Sequence, residues 1–289
     1  MMGTVYLNGE YLPVEQARVP VMDRGFLFGD GVYEVIPVFG GRCFRVDEHL
    51  DRLDYSLRET GIPQPLTRAQ WCDIFEQLIA ASSDGEKGGG DQGIYLQITR
   101  GVAPTREHRF PEHCTPTVFA MSRVLVPIPT VIPPSIAAIT LDDLRWQRCD
   151  IKSTSLLGSV LMTQRALDAG AREAILLRNG IVLEGASSNV FAVHDGTLYT
   201  APKSQCILAG ITRDLIVELV RQKNIAFREE ALTLDALRAA SEIWITSSTR
   251  EMAPVVQLDG NVVGSGEVGP VFQQVWQWYR AFRTNFSSE

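Results

Sequence analysis

Four dipeptides, Asn8-Gly9, Asn179-Gly180, Asp195-Gly196 and Asp259-Gly260, each separate two strand-like runs. A two-residue loop follows the right-handed twist of the strands it joins when its residues take positive φ, which Asn, Asp and Gly tolerate best. Each dipeptide therefore predicts a tight β-hairpin. Helical patterns lie between them. Val46 to Thr60 places Leu50, Leu53 and Leu57 on one face, Thr67 to Ala81 opens on a Thr67/Gln70 capping box, and a third helix is expected from Ser155 to Ala169. Others follow Gly210 and Thr233, and one occupies the stretch from Gly269 to Phe286. Hairpins and helices mix without strict alternation, which predicts an α+β fold rather than a doubly wound sheet.

The chain of 289 residues is long enough for two ordinary cores. Residues 127–134, P-I-P-T-V-I-P-P, deny both helix and central strand, so a boundary is expected there. The expected division is a smaller N-terminal domain over 1–122, a Pro-rich connector over 123–135 and a larger C-terminal domain over 136–289 that carries Lys152. Gly85 to Gly93 reads as a polar surface loop.

A net charge of -7 argues against a grip on nucleic acid, which needs clustered Lys and Arg. Five cysteines, odd in number and without a C-x-x-C pair, suggest neither a disulfide framework nor a zinc site, and four scattered histidines suggest no metal cluster. The N-terminus is strand-like, and no apolar run approaches the roughly twenty residues of a membrane span. The expectation is a cytoplasmic protein with reduced thiols, no membrane segment and no metal.

Lys152 stands in C-D-I-K-S-T-S-L-L-G, at the end of a β-like run and just before a helix. Most lysines are solvated surface charges; one becomes a nucleophile only when its surroundings lower its pKa or fix it to an aldehyde. Glu184 opens E-G-A-S-S-N-V-F after an apolar strand. Its bland reading is a solvated turn residue, its sharper one a partner for a protonated pyridine nitrogen. The run I-L-A-G-I-T-R-D-L is a loop turning into a helix, whose first N–H groups at Gly210, Ile211 and Thr212 can seat a phosphate. Ser247 and Ser248 follow another apolar strand and offer hydroxyl donors, and Arg52 offers positive charge, although helix spacing alone makes it a partner of Glu48.

In this order the pieces resemble the fold type IV pyridoxal-phosphate enzymes, and within them the D-amino acid aminotransferases. The matching segments, D-R-G-F-L-F-G-D-G-V-Y-E-V, H-L-D-R-L, Y-L-Q-I-T-R-G, R-W-Q-R-C-D-I-K-S-T-S-L-L-G, E-G-A-S-S-N-V-F, L-A-G-I-T-R-D and T-S-S-T-R-E, run through essentially the whole chain. The resemblance implies pyridoxal 5'-phosphate as cofactor and Lys152 as the lysine that holds it. It further implies Glu184 at the pyridine nitrogen, Leu208 on the ring face, and Arg52, Ile211, Thr212 and Ser248 around the phosphate, where the hydroxyl of Ser247 could add a further donor. It also implies a homodimer, and a trap for the substrate carboxylate formed by Tyr33 with Arg106 and His108, the latter two from the other subunit. Four residues separate Gly101 from Arg106, one more than the family pattern.

The expected reaction is ping-pong transamination of D-amino acids such as D-alanine with 2-oxoglutarate, the partners being small amino acids and 2-oxo acids. A branched-chain L-amino acid aminotransferase and an aminodeoxychorismate lyase share the cofactor residues; the Arg106/His108 pair disfavours both. A non-catalytic cofactor-binding scaffold is disfavoured by Lys152 and Glu184 occurring together.

Overall fold

The computed structural model describes residues 3–82, 90–125 and 131–288. The chain forms two compact units: Met1–Pro127 with Ile151–Leu156 and Phe286–Glu289, and Ile128–Asp150 with Leu157–Asn285.

The first unit holds β1 (Thr4–Leu7), β2 (Glu10–Pro13), α1 (Arg24–Phe28), β3 (Gly31–Phe39), β4 (Arg42–Cys43), α2 (Val46–Thr60), α3 (Arg68–Ser82), β5 (Gln92–Thr99) and β6 (Thr117–Val124). Its antiparallel sheet has the order β2-β1-β6-β5-β3-β4. Ile36, Ile94, Leu96 and Ile98 meet Leu50, Leu53 and Leu57 of α2 and Trp71, Phe75 and Leu78 of α3 in one core. This is the i, i+3, i+7 stripe of α2 buried as its spacing requires. The Thr67/Gln70 capping box is formed, with the Thr67 N–H donating to Gln70 Oε1 at 2.8 Å.

Ile151–Leu156 belongs with this first unit, whereas sequence order had assigned Lys152 to the C-terminal domain. The reason is backbone pairing: the Tyr33 N–H donates to Lys152 O at 2.9 Å, the Thr154 N–H donates to Gly31 O at 2.9 Å, and Val32 bridges Ser153. The Thr154 and Ser155 hydroxyls both donate to Gly29 O, and the next helix begins only at Leu157.

The second unit holds β7 (Ile136–Asp142), α4 (Leu157–Asp168), β8 (Glu173–Arg178), β9 (Ile181–Gly185), β10 (Asn189–His194), β11 (Thr197–Thr200), α5 (Ile211–Gln222), β12 (Phe227–Glu229), α6 (Leu234–Arg238), β13 (Glu242–Ser247), β14 (Glu251–Leu258), β15 (Asn261–Val262) and α7 (Pro270–Ser288) up to Asn285. Its sheet runs β12-β11-β10-β13-β14-β7-β8-β9, with β15 paired to β14. The pairs β11/β12, β14/β7 and β7/β8 are parallel and the rest antiparallel. All four anticipated hairpins are present, and Asn8, Asn179, Asp195 and Asp259 each take a φ near the left-handed region's centre, 48° to 53°.

Of the Pro-rich connector, residues 126–130 lie outside the described residues, as do residues 85–89 of the glycine-rich loop; Gly93 is already in β5. All five cysteines are free thiols. Among the described residues no helix is long and apolar enough to cross a membrane, and no group of His, Cys, Asp and Glu is placed to hold a metal.

Candidate active site

In the first unit, Lys152 is fixed by its backbone. Its carbonyl accepts from Tyr33, and its N–H donates to the hydroxyl of Ser56, a fully buried residue of α2, at 3.2 Å. The Lys152 Nζ lies 4.2 Å from the centre of the Tyr33 ring, so these two anticipated residues are brought together.

Arg52 turns inward rather than along the helix to Glu48, which pairs with Arg45 instead. Its guanidinium forks onto buried Glu34, Nε to Oε1 and Nη2 to Oε2, both at 2.8 Å. His49 Nδ1 lies 2.8 Å from Glu34 Oε2. Burial would raise the Glu34 carboxyl, but Arg52 and His49 overcome it and hold it well below the usual carboxylate range. Burial lowers the His49 pKa, and the cations of Arg52 and Lys152 push the same way against Glu34. Glu34 and His49 were not singled out in the sequence; the available sign was their spacing from Tyr33 and Arg52, one residue and three residues away.

Arg106 and His108 lie in an exposed stretch and share one platform. The Arg106 guanidinium carbon is 5.0 Å from the Phe28 ring centre, and the Phe28 and His108 rings are 5.4 Å apart. Within one chain, among the described residues, no hydrogen bond, ion pair or ring contact joins either of them to Tyr33 or Lys152.

In the second unit, Glu184 is buried at the end of β9. Its Oε1 accepts from Arg145 Nη1 at 2.6 Å, and its Oε2 accepts from the Leu208 N–H at 3.0 Å and from Asn189 Nδ2 at 3.1 Å. Burial pushes the Glu184 carboxyl up to about 7 against the pull of Arg145 and the Leu208 amide. Arg145 is raised in spite of its own burial, by Glu184 and Asp143, so it stays a fixed cation beside Glu184. The turn beyond Glu184 requires glycine, since a Cβ at Gly185 would stand 2.1 Å from Ser188 Oγ. It is braced by buried Glu173, which accepts from the Ala186 N–H at 3.2 Å and the Ser188 hydroxyl at 2.8 Å.

Asn189 Nδ2 also donates to Leu208 O at 2.9 Å, tying Leu208 to Glu184. The start of α5 packs on the same side chain: a Cβ at Gly210 would lie 2.0 Å from Asn189 Oδ1. No side chain caps α5, and the Thr212 hydroxyl makes no hydrogen bond within the described residues. Across the sheet Asn189 faces Thr246, one residue before Ser247. The Ser247 hydroxyl accepts from the Arg250 N–H at 3.3 Å. Glu184, Leu208, the start of α5 and the end of β13 are thus gathered around Asn189.

This donor set fits pyridoxal 5'-phosphate. An uncapped helix start with a glycine entry and a neighbouring hydroxyl suits a phosphate dianion, and a buried carboxylate beside a leucine suits the nitrogen and face of a pyridine ring. Arg145, Asn189 and Glu173 were missed from sequence, although Arg145 and Asn189 lie within recognised segments.

The amino-transferase class IV family pattern matches residues 31–258. The chain is 40% identical over 288 residues to a D-alanine aminotransferase of Staphylococcus haemolyticus, covering 99% of this chain and 100% of that one. It is 41% identical to a D-alanine aminotransferase of Bacillus licheniformis, covering 94% of each. Among solved structures it is similar to the branched-chain amino acid aminotransferase of Escherichia coli, with a TM-score of 0.85 at 27% identity, covering 99% of this chain and 96% of that chain. It is also similar to the Thermoproteus uzoniensis branched-chain aminotransferase solved with norvaline, with a TM-score of 0.86 at 26% identity, covering 98% and 95%.

Proposed function

Because the chain belongs to the class IV aminotransferases, which use pyridoxal 5'-phosphate, we propose that it transfers the amino group of D-amino acids, D-alanine first among them, to 2-oxo acids such as 2-oxoglutarate. The D-alanine reading is supported by relatives about 40% identical over nearly the full length, against 26–27% for the branched-chain enzymes named above. The observation that carries the chemistry is the seat of Lys152, whose backbone is held by Tyr33 and Ser56 while its amine rests over the Tyr33 ring.

When bound, the cofactor supplies an aldehyde carbon that takes up the amino group and a ring that spreads the negative charge left on the substrate carbon. Lys152 Nζ would hold the cofactor, then take the Cα proton of the substrate and deliver it to the carbon that had been the cofactor's aldehyde. Glu184 keeps a proton at the pyridine nitrogen, and Arg145 supports that role by favouring the carboxylate. Leu208 packs on the ring face. Arg52, the N–H groups of Ile211 and Thr212 and the hydroxyls of Ser247 and Ser248 hold the phosphate. Tyr33, Arg106 and His108 receive the substrate carboxylate, Arg106 offering a planar fork to a planar anion.

The protein acts as a homodimer in the cytoplasm. One feature supports the dimer: α4 exposes Leu157, Val160 and Leu161, and Leu144 and Trp146 are exposed as well. A chiral HPLC assay of D-alanine, L-leucine and aminodeoxychorismate tests the proposal; turnover of D-alanine above the other two is expected, and preference for L-leucine would replace this reading with the branched-chain one.

A further inference from the structure

Residues 104–110, P-T-R-E-H-R-F, are all exposed, yet a buried arginine from far back in the chain reaches them. Arg24 Nη1 donates to Glu107 O at 2.6 Å and Arg24 Nη2 to His108 O at 3.3 Å. Burying a guanidinium is costly unless its donors are met, and this one spends two of them on the carbonyls of an exposed loop. Its third contact sets its direction: Nε donates to Asp30 Oδ2 at 2.7 Å. Asp30 is gripped from the other side by Arg100, Nε at 2.8 Å and Nη2 at 3.0 Å, and Arg100 itself donates to Thr60 O and Gly61 O. The Arg100 guanidinium carbon lies 3.6 Å from the Phe110 ring centre, holding the far end of the loop.

The base of the loop is zipped to the same place. The Arg24 N–H donates to Gly101 O, the Ala103 N–H donates to Met22 O, and Asp23 bridges Val102. Because Arg24 takes hold of main-chain carbonyls, the side chains of Arg106 and His108 stay free of it and meet on Phe28, whose ring also lies 4.9 Å from the Arg24 guanidinium carbon.

We propose that Arg24 is a positioning residue for substrate selection, fixing the Arg106/His108 loop through the Glu107 and His108 carbonyls so that both side chains are presented from the Phe28 platform to the carboxylate of the substrate. This rests on the reading of Arg106 and His108 as carboxylate ligands. A merely structural arginine would affect every substrate alike, whereas a strut for this loop affects only what the loop binds.

The test uses holoenzyme carrying Arg24→Lys, which keeps the charge beside Asp30 but loses the fork. KM for D-alanine should rise about tenfold, as expected for loss of a charge-assisted hydrogen bond, with kcat at saturation and cofactor affinity little changed. Trypsin should cut after Arg106 or Arg109, identified by mass spectrometry, faster than in the parent. Phe28→Leu, which leaves Arg24 in place but removes the shared platform, should raise KM in the same selective way, and serves if Arg24→Lys does not fold. Unchanged KM and unchanged cleavage overturn the proposal, as does a loss of kcat and cofactor affinity with KM unaltered. Arg106→Leu in parallel separates the two levels: if it raises KM for D-alanine and Arg24→Lys does not, only the strut is wrong, whereas if Arg106→Leu itself leaves KM unaltered, the carboxylate reading fails.

Discussion

Asn189 Nδ2 donates to Glu184 Oε2 at 3.1 Å, so the first residue of β10 holds the carboxylate that closes β9. The same nitrogen reaches Leu208 O, and the side-chain oxygen sits where a Cβ on Gly210 would fall. One buried amide thus sets the spacing between the groups assigned to the ring nitrogen, the ring face and the phosphate.

Replacing Asn189 by Ala should weaken cofactor binding about tenfold or more and destabilise the protein by about 1–3 kcal/mol, because Glu184 Oε2 loses one of its two donors and Leu208 O loses the side-chain donor it has. A fluorescence titration of apoprotein with pyridoxal phosphate, beside urea unfolding, measures both. Parent-like affinity would mean that Glu184 and Leu208 hold their places through Arg145 and the Leu208 N–H alone.

Lys152→Ala should abolish turnover and the absorbance of the lysine-bound cofactor while leaving the melting temperature close to that of the parent, since the backbone that seats residue 152 is untouched. Glu184→Gln should bind the cofactor but slow proton transfer in single-turnover measurements, because an amide cannot hold the pyridine nitrogen protonated as a carboxylate does. A single-turnover rate equal to the parent's would remove Glu184 from that role.

Glu34 is held below the usual carboxylate range by Arg52 and His49 in spite of burial. A carboxyl whose folded pKa is depressed contributes stability that is complete above its unfolded value, about 4.3 for Glu, and is lost as pH falls towards the folded value. Glu34→Gln should therefore cost about 3 kcal/mol at pH 7, the scale of a broken buried ion pair. The gap between the melting temperatures of parent and variant should narrow as the pH is lowered below about 4. A gap independent of pH would show that packing, not charge, is lost.

Leu161→Glu on the exposed face of α4 should convert the proposed dimer to monomer in analytical ultracentrifugation and remove activity with it, because the proposed carboxylate trap draws Arg106 and His108 from the other subunit. A monomer with full D-alanine activity would require the carboxylate trap to form within one subunit.

The elements were legible because their signals are local. The positive-φ dipeptides mark their hairpins, the apolar stripe Leu50, Leu53, Leu57 marks α2, and Thr67 with Gln70 marks the start of α3. The motifs around Lys152, Glu184 and the start of α5 stood out for a related reason: each couples a polar group to a turn or helix start within a few residues. The tertiary structure alone decided the partners of those groups. Nothing local distinguishes an Arg52 paired with Glu48 from one turned inward to Glu34, since both carboxylates are within reach of the helix and only the burial of β3 settles it. Arg145, Asn189 and Arg24 were invisible for the same reason. Arg145 and Arg24 act on groups 39 and 83 residues away, and Asn189 reaches Leu208, 19 residues on. Even Lys152 was assigned to the wrong half, because a strand edge recruits whatever segment offers it hydrogen bonds, and sequence order does not say which segment that is.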